Sequence, residues 1–262
     1  IKKLKCKIVY TNTSTILTGA IAAKLLNIPH IWHFREFGFE DYGYQYDLGA
    51  KVSQILTNYL STICLTNSYA VKRKYDKFIP SNKLIILYES YKKEKHKIDS
   101  TINYSIDTNF FNCIMIGTLH SAKGHVDAIH STKLLLETGV PINLIIVGTG
   151  DESYQLKLIN IVNSLQIHRH VKFLGYLTNP IEILMQSDLL LMCSQNEAFG
   201  LVTLEAMENG IPVIGTNRGG TIELVINNLT GLTYEPGNYF ELADKIKYLY
   251  DNPDQRKKFV RN

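Results

Sequence analysis

Short apolar runs alternate with longer segments of helical period along almost the whole chain. Strands are expected at Lys7–Tyr10, His30–Phe34, Thr62–Leu65 and Leu84–Leu87. Helices are expected between them, at Ile16–Leu26, from about Leu48 to Leu60, and from a Ser68 cap to about Phe78. After residue 105 the alternation resumes. Strands are predicted at Phe110–Ile116, Ile142–Val147, Val171–Leu174, Asp188–Cys193, Pro212–Gly215 and Leu232–Tyr234. Helices are predicted at Val126–Leu136, Tyr154–Leu165, Asn179–Met185, Leu201–Glu208, Thr221–Val225 and Tyr239–Tyr250. Strands that are apolar at successive positions bury both faces, so this pattern demands parallel sheets covered by helices on two sides. Two such blocks read as two Rossmann-like domains, 1–92 and 109–262, joined by a linker over 93–108. Lys92, Lys93, Lys95 and Lys97 crowd around the start of that linker with almost no apolar partners.

Composition closes off other classes. The 262 residues are 45% hydrophobic and 20% charged, which excludes disordered and collagen-like chains. Cys6, Cys64, Cys113 and Cys193 are scattered, without a C-x-x-C pair, and read as small buried hydrophobes in a reducing compartment. His120, His125, His130, His168 and His170 lack metal-ligand spacing and read as surface or capping side chains. The net charge of +4 is too mild to imply nucleic acid, and none is expected as a partner. No apolar run reaches the ~18 residues of a membrane span.

In open parallel sheets, ligands bind outside the carboxyl ends of the strands. The loops there in the second block are rich in glycine: Gly117–Gly124, Gly148-Thr149-Gly150, Gly175-Tyr176, Ser194–Gly200 and Gly215–Gly220. Glycine lets a backbone approach a ligand closely. The fourth loop is the most informative. A helix starting near Gly200 would aim its free N–H groups into the loop and suit a phosphate. Glu197 lies just ahead of that helix and Glu205 on its second turn. Carboxylates so placed suit paired sugar hydroxyls on different parts of one ligand.

Glu197-Ala-Phe199-Gly200-Leu201-Val202-Thr-Leu-Glu205 resembles the E-x7-E motif of the retaining, nucleotide-sugar-dependent glycosyltransferases of family four. Gly117–Gly124, Ile146–Gly150, Phe173–Tyr176 and Ile211–Ile214 with Gly219-Gly220 resemble further motifs of that family, in its order. The resemblance covers the whole second block and, more loosely, the first. It implies a GT-B fold, α/β, with two Rossmann-like domains facing each other. It implies transfer of a sugar, with retention, from a UDP- or GDP-sugar to a saccharide or lipid-linked acceptor in polysaccharide or glycolipid synthesis. Glu197 would bind the donor sugar and Glu205 the ribose. Lys123 would neutralise the diphosphate, helped by backbone N–H groups from Phe199 to Val202. Gly117, Thr118, Gly148, Gly150 and Tyr176 would line the donor pocket. Family members usually need no metal, no D-x-D occurs here, and the donor takes the place of a cofactor.

Some positions depart from the family. Thr118 stands where arginine is usual, which predicts weak donor binding or a substitute cation such as Arg218. Arg35 and Glu36 fall nearest the position of a family histidine beside the reacting sugar, and are named as catalytic candidates. As a plainer alternative they would form an ion pair at the surface. Lys72, Arg73, Lys74 and Lys77, interleaved with Tyr69, Tyr75 and Phe78, suggest a cytoplasmic protein with peripheral contact at the anionic inner face of a membrane. Against the family, the first block lacks an opening strand with a glycine-rich turn, and the chain stops before a final crossing helix. The expectation is therefore a whole donor domain with a partial acceptor domain. Two alternatives stand beside the enzyme reading: a non-catalytic or weakly active donor-binding remnant, and a GT-B nucleotide-sugar epimerase.

Overall fold

A computed structural model describes residues 5–39, 43, 49–91, 104 and 106–262. Most of the linker expected over 93–108 and the start of the helix expected at Leu48 lie outside the described residues. The chain forms two compact units. The first comprises Ile1–Ser90 and Asn196–Phe199, the second Tyr91–Gln195 and Gly200–Asn262.

The first unit holds four parallel strands in sequential order: β1 (Val9–Thr11), β2 (His30–Phe34), β3 (Ile63–Thr66) and β4 (Leu84–Ile86). Its helices are α1 (Thr18–Leu25), α2 (Ala50–Leu60) and α3 (Tyr69–Tyr75). The hydroxyl of Ser68 caps α3 by accepting from Val71 N at 3.0 Å. The helix ends at Tyr75 rather than near Phe78, and β1 begins at Val9 rather than Lys7. A core of stacked rings fills the unit: Trp32 on Phe34 at 5.8 Å and Phe34 on Tyr75 at 4.2 Å. Helix α2 is inverted. It buries Ser53, Gln54 and Thr57 and exposes Val52, Ile55 and Tyr59. Thr57 stays satisfied by donating to Ser53 O at 2.8 Å.

The second unit is a six-stranded parallel sheet: β5 (Phe111–Ile116), β6 (Ile142–Val147), β7 (Val171–Gly175), β8 (Leu189–Met192), β9 (Val213–Thr216) and β10 (Leu232–Tyr234). Their spatial order is β10-β9-β8-β5-β6-β7. Alternation along each strand sends Cys113, Met115, Leu144, Ile146, Leu189 and Leu191 to one face. It sends Ile114, Ile145, Val147, Leu190 and Met192 to the other. Helices α4 (His125–Glu137), α5 (Glu152–Ser164) and α9 (Tyr239–Asp251) pack on the first face. Helices α6 (Ile181–Leu184) and α7 (Leu201–Glu208) cover the second, and α8 (Thr221–Leu224) follows β9. Two elements go beyond the sequence reading. A 3-10 turn spans Ser121–Lys123, and helix α10 (Pro253–Arg261) follows α9, its Pro253 at the first position and Phe259 buried.

Candidate functional site

The strand order of the second unit reverses between β5 and β8, which makes a crevice at their carboxyl ends. The loops flanking it are Gly117–Gly124 after β5 and the segment from Cys193 after β8. Gln195 N donates to Ala122 O at 2.8 Å and locks one loop to the other. Gly124, with φ +69°, lets the backbones meet, since a Cβ there would collide with the carbonyl of Cys193. Lys123 ends the 3-10 turn and lines a small cavity with Gly117, His125 and Ser194. The Thr216 hydroxyl donates to Ser194 O at 2.7 Å and ties in the loop after β9.

Helix α7 begins at Leu201, one residue past the left-handed Gly200, with no side chain capping its N-terminus. Its first N–H groups therefore keep the partial positive charge of a helix start. Glu205 lies on the second turn, partly buried. A second cavity of about 250 Å³ opens beside this edge. Ile116, Gly117, Thr118, Gly148, Tyr176 and Pro180 are among its walls, and Tyr176 leaves 73% of its surface exposed. A flat exposed ring against an apolar slot can stack on a base.

Two glycines here also serve the packing of the loops. A Cβ on Gly148 would strike the carbonyl of Gly117, and one on Gly150 the carbonyl of Leu119. Their smallness brings neighbouring loops together. Leu119 N donates to Thr149 O at 3.0 Å, extending the β5–β6 ladder past the strand ends.

Other candidates are held by partners. Arg218 ion-pairs with Glu235, which also accepts from Asn217 at 2.8 Å, and both charged side chains stay largely exposed. In the first unit, Arg35 and Glu36 do not pair with each other. Arg35 forms a two-pronged bond to Glu89, Nε to Oε1 at 2.5 Å and a second nitrogen to Oε2 at 2.8 Å. Asn67 bridges them, donating to Arg35 O at 3.0 Å. Burial pushes the Glu89 carboxyl up, but the Arg35 bond and charge outweigh it and hold the carboxyl below its ordinary range. Glu36 accepts from the Thr13 hydroxyl at 2.7 Å and from Ser14 N at 2.6 Å, closing the loop after β1. Glu197 is half-buried within the segment that packs in the first unit. Phe199 in the same segment is buried, 3% exposed.

Two residues of weight escaped the sequence reading. Glu89 follows β4 with no motif around it, and only the pairing of β3 with β4 brings it to Arg35. His125, expected at the surface or as a cap, is instead buried, 2% exposed. His120 does cap, accepting from Ala122 N at 3.3 Å. Burial pushes the Cys193 thiol up to about 12, which fits an inert core cysteine. Among the described residues, no group of three His, Cys, Asp or Glu could hold a metal ion, and no helix is long and apolar enough to cross a membrane.

The switch-point crevice, the lysine loop, the uncapped helix start and the aromatic-walled slot lie at one edge of the six-stranded sheet. Residues 100–262 match the glycosyl transferases group 1 family, and the chain belongs to it. N-acetyl-alpha-D-glucosaminyl L-malate synthase of Bacillus anthracis is 36% identical over 149 residues, 56% of this chain and 38% of that protein. The capsular polysaccharide biosynthesis glycosyltransferase CapM of Staphylococcus aureus is 24% identical over 259 residues, 94% of this chain and 67% of that protein. The chain thus spans between about a third and two thirds of the length of the curated relatives it matches. HepE of Anabaena, solved in complex with UDP and glucose, superposes with a TM-score of 0.87 at 23% identity, over 100% of this chain and 73% of that one. The fold is that of the GT-B glycosyltransferases.

Proposed function

We propose that the protein transfers a sugar, with retention and without a metal, from a UDP- or GDP-sugar to a saccharide or lipid-linked acceptor. The observation that carries this is the meeting of the Lys123 loop with the β8 loop at the reversal of strand order. Departure of a nucleoside diphosphate builds negative charge on its phosphates. A fixed ammonium and a helix N-terminus stabilise that charge more in the transition state than in the ground state. In this reading Lys123 and the N–H groups at Phe199, Gly200, Leu201 and Val202 hold the diphosphate. Glu205 takes the ribose diol, Glu197 the donor sugar, and Gly117, Thr118, Gly148, Gly150 and Tyr176 surround the base. Arg35 and Glu36 act at the reacting sugar, each oriented by the partners just described.

The basic helix α3 supports docking on an anionic cytoplasmic surface, since Arg73 and Lys77 are exposed and Tyr69 beside them is 54% exposed. Tyr75 takes no part, being buried in the core. A thermal-shift screen of the full chain against UDP-, GDP- and ADP-sugars tests the donor reading, and stabilisation by a UDP- or GDP-sugar is the expected result. No shift with any of them overturns it. Anomeric configuration of the product, read by NMR, tests retention. Thr118 in place of a family arginine favours a second reading, a donor-binding remnant of low activity. That reading is sustained if donors bind and no transfer to any acceptor follows.

A further inference from the structure

The four strands of the first unit stand in chain order, β1-β2-β3-β4. Right-handed crossovers between parallel strands in that order place every connecting helix on the same side. The packing agrees. Ala20 of α1, Leu60 of α2, and Val71 and Tyr75 of α3 meet one face of the sheet, around Trp32, Phe34, Cys64 and Leu84. The alternate strand positions point the other way. Tyr10, Ile31 and Ile63 stand side by side in register, and His33, Leu65 and Ile85 form the next row. Ile8 extends this face before β1. Leu87 extends it beyond β4, its N–H still donating to Thr66 O at 2.8 Å. Among the described residues of the unit, no helix covers it. Ile8, Tyr10, Ile85 and Leu87 are 56%, 51%, 46% and 51% exposed, and Ile31, Ile63 and Leu65 partly so.

Parallel sheets bury both faces, and this one buries only one within its unit. The open face holds no acid, lysine or arginine, so it offers no charge to lipid headgroups or to a polyelectrolyte. Its match is another apolar surface. Tyr10 is held in place, its hydroxyl 2.5 Å from His33 Nδ1, and a fixed, half-exposed ring is a good interface anchor. At ~200 Å² for a full side chain, these exposures leave roughly 500 Å² of apolar surface uncovered. Two such faces together bury roughly 1,000 Å², the least that a specific interface needs.

We propose that this face joins two copies of the chain, sheet on sheet, across a twofold axis. The same patch then serves both partners, and apolar sheets stack face to face about 10 Å apart. This contact is independent of the nucleotide reading above.

The experiment is sedimentation equilibrium of the full chain over a wide range of concentration. The expected result is a reversible monomer–dimer equilibrium. Ile85→Glu and, separately, Leu87→Lys place a charge on the open face at positions exposed in the monomer. Each should weaken the dimer at least tenfold, as at an interface hot spot, with the far-ultraviolet circular dichroism of the fold retained. Ile55→Glu makes a comparable change on the exposed side of α2 and should leave the dimer as it was. A monomer at every concentration overturns the proposal, and so does a dimer that neither Ile85→Glu nor Leu87→Lys weakens. Open-ended aggregates in place of a dimer also overturn it, since a closed twofold contact stops at two copies. Monomers that co-sediment with phosphatidylcholine vesicles, and no longer do so in Ile85→Glu, assign the face to lipid and overturn it too.

Discussion

Single side chains at this sheet edge divide into those that offer charge and those that hold others in place. Thr118 lines the cavity of about 250 Å³ and is exposed, so an arginine there has room to reach a ligand. A charge-assisted hydrogen bond contributes about 1.5–3 kcal/mol, so Thr118→Arg is expected to tighten UDP binding roughly tenfold or more, read by titration calorimetry. His125 makes a second expectation, this time for stability. Its folded value of about 4 lies below the ordinary 6.5. The unfolded chain therefore binds the extra proton first. Stability is full above pH 6.5 and falls as pH drops through the window to 4, by about 3 kcal/mol in all. Chemical denaturation between pH 7 and 4 should show this loss, and His125→Gln should flatten it. Glu89 behaves in the same direction for a different reason. Its carboxyl is depressed, so the Arg35 pair stabilises at neutral pH and is lost as acid protonates Glu89. Because Arg35 is 38% exposed, solvent screens part of that contribution. The sequence brought out Arg35 and Glu36, but Glu89 carries no local signal. An isolated glutamate after a short strand looks like any surface carboxylate until the neighbouring strand is known.

At the level of elements, glycine was legible by position, and the structure adds a packing purpose. A run of glycines after successive strands marks the carboxyl edge, yet Gly148 and Gly150 serve the contact between adjacent loops. Overpacking typically costs about 1–3 kcal/mol. Gly148→Ala is thus expected to lower the melting temperature by several degrees and to separate the Gly117 and Gly148 loops, with loss of the UDP-induced shift. Circular dichroism melts with and without UDP check both. Helix α2 teaches the opposite lesson. Its apolar residues at Val52, Ile55 and Tyr59 would be assigned to the core by periodicity, but Ser53, Gln54 and Thr57 are the buried ones. Substituting Ile55 by glutamate should change stability by no more than about 0.5 kcal/mol, as for surface positions in general. A melt of the variant checks this, and a large loss would mean that the face is buried. Strands and long helices were readable because their patterns are local. The 3-10 turn and α10 were not, because one is held by loop-to-loop bonds and the other by a single buried Phe259.

For the whole molecule, the chain carries separate apolar cores, one around Trp32, Phe34 and Tyr75 and others on the two faces of the six-stranded sheet. Scanning calorimetry is expected to show UDP raising the transition of the larger unit, which holds Lys123 and most of the proposed site, since a ligand stabilises only the state that binds it. What the sequence determined by itself was the alternation of strands and helices, the apolar faces that force parallel sheets, and the chemical character of each loop. These depend on residues near one another along the chain. Which loops become neighbours was decided only by strand order. Placing β8 beside β5 rather than β7 brings Lys123, Ser194 and His125 around one cavity. That pairing joins segments more than seventy residues apart and is settled by the packing of both sheet faces at once. No local pattern encodes it, which is why the residues of the crevice were legible singly and their arrangement was not.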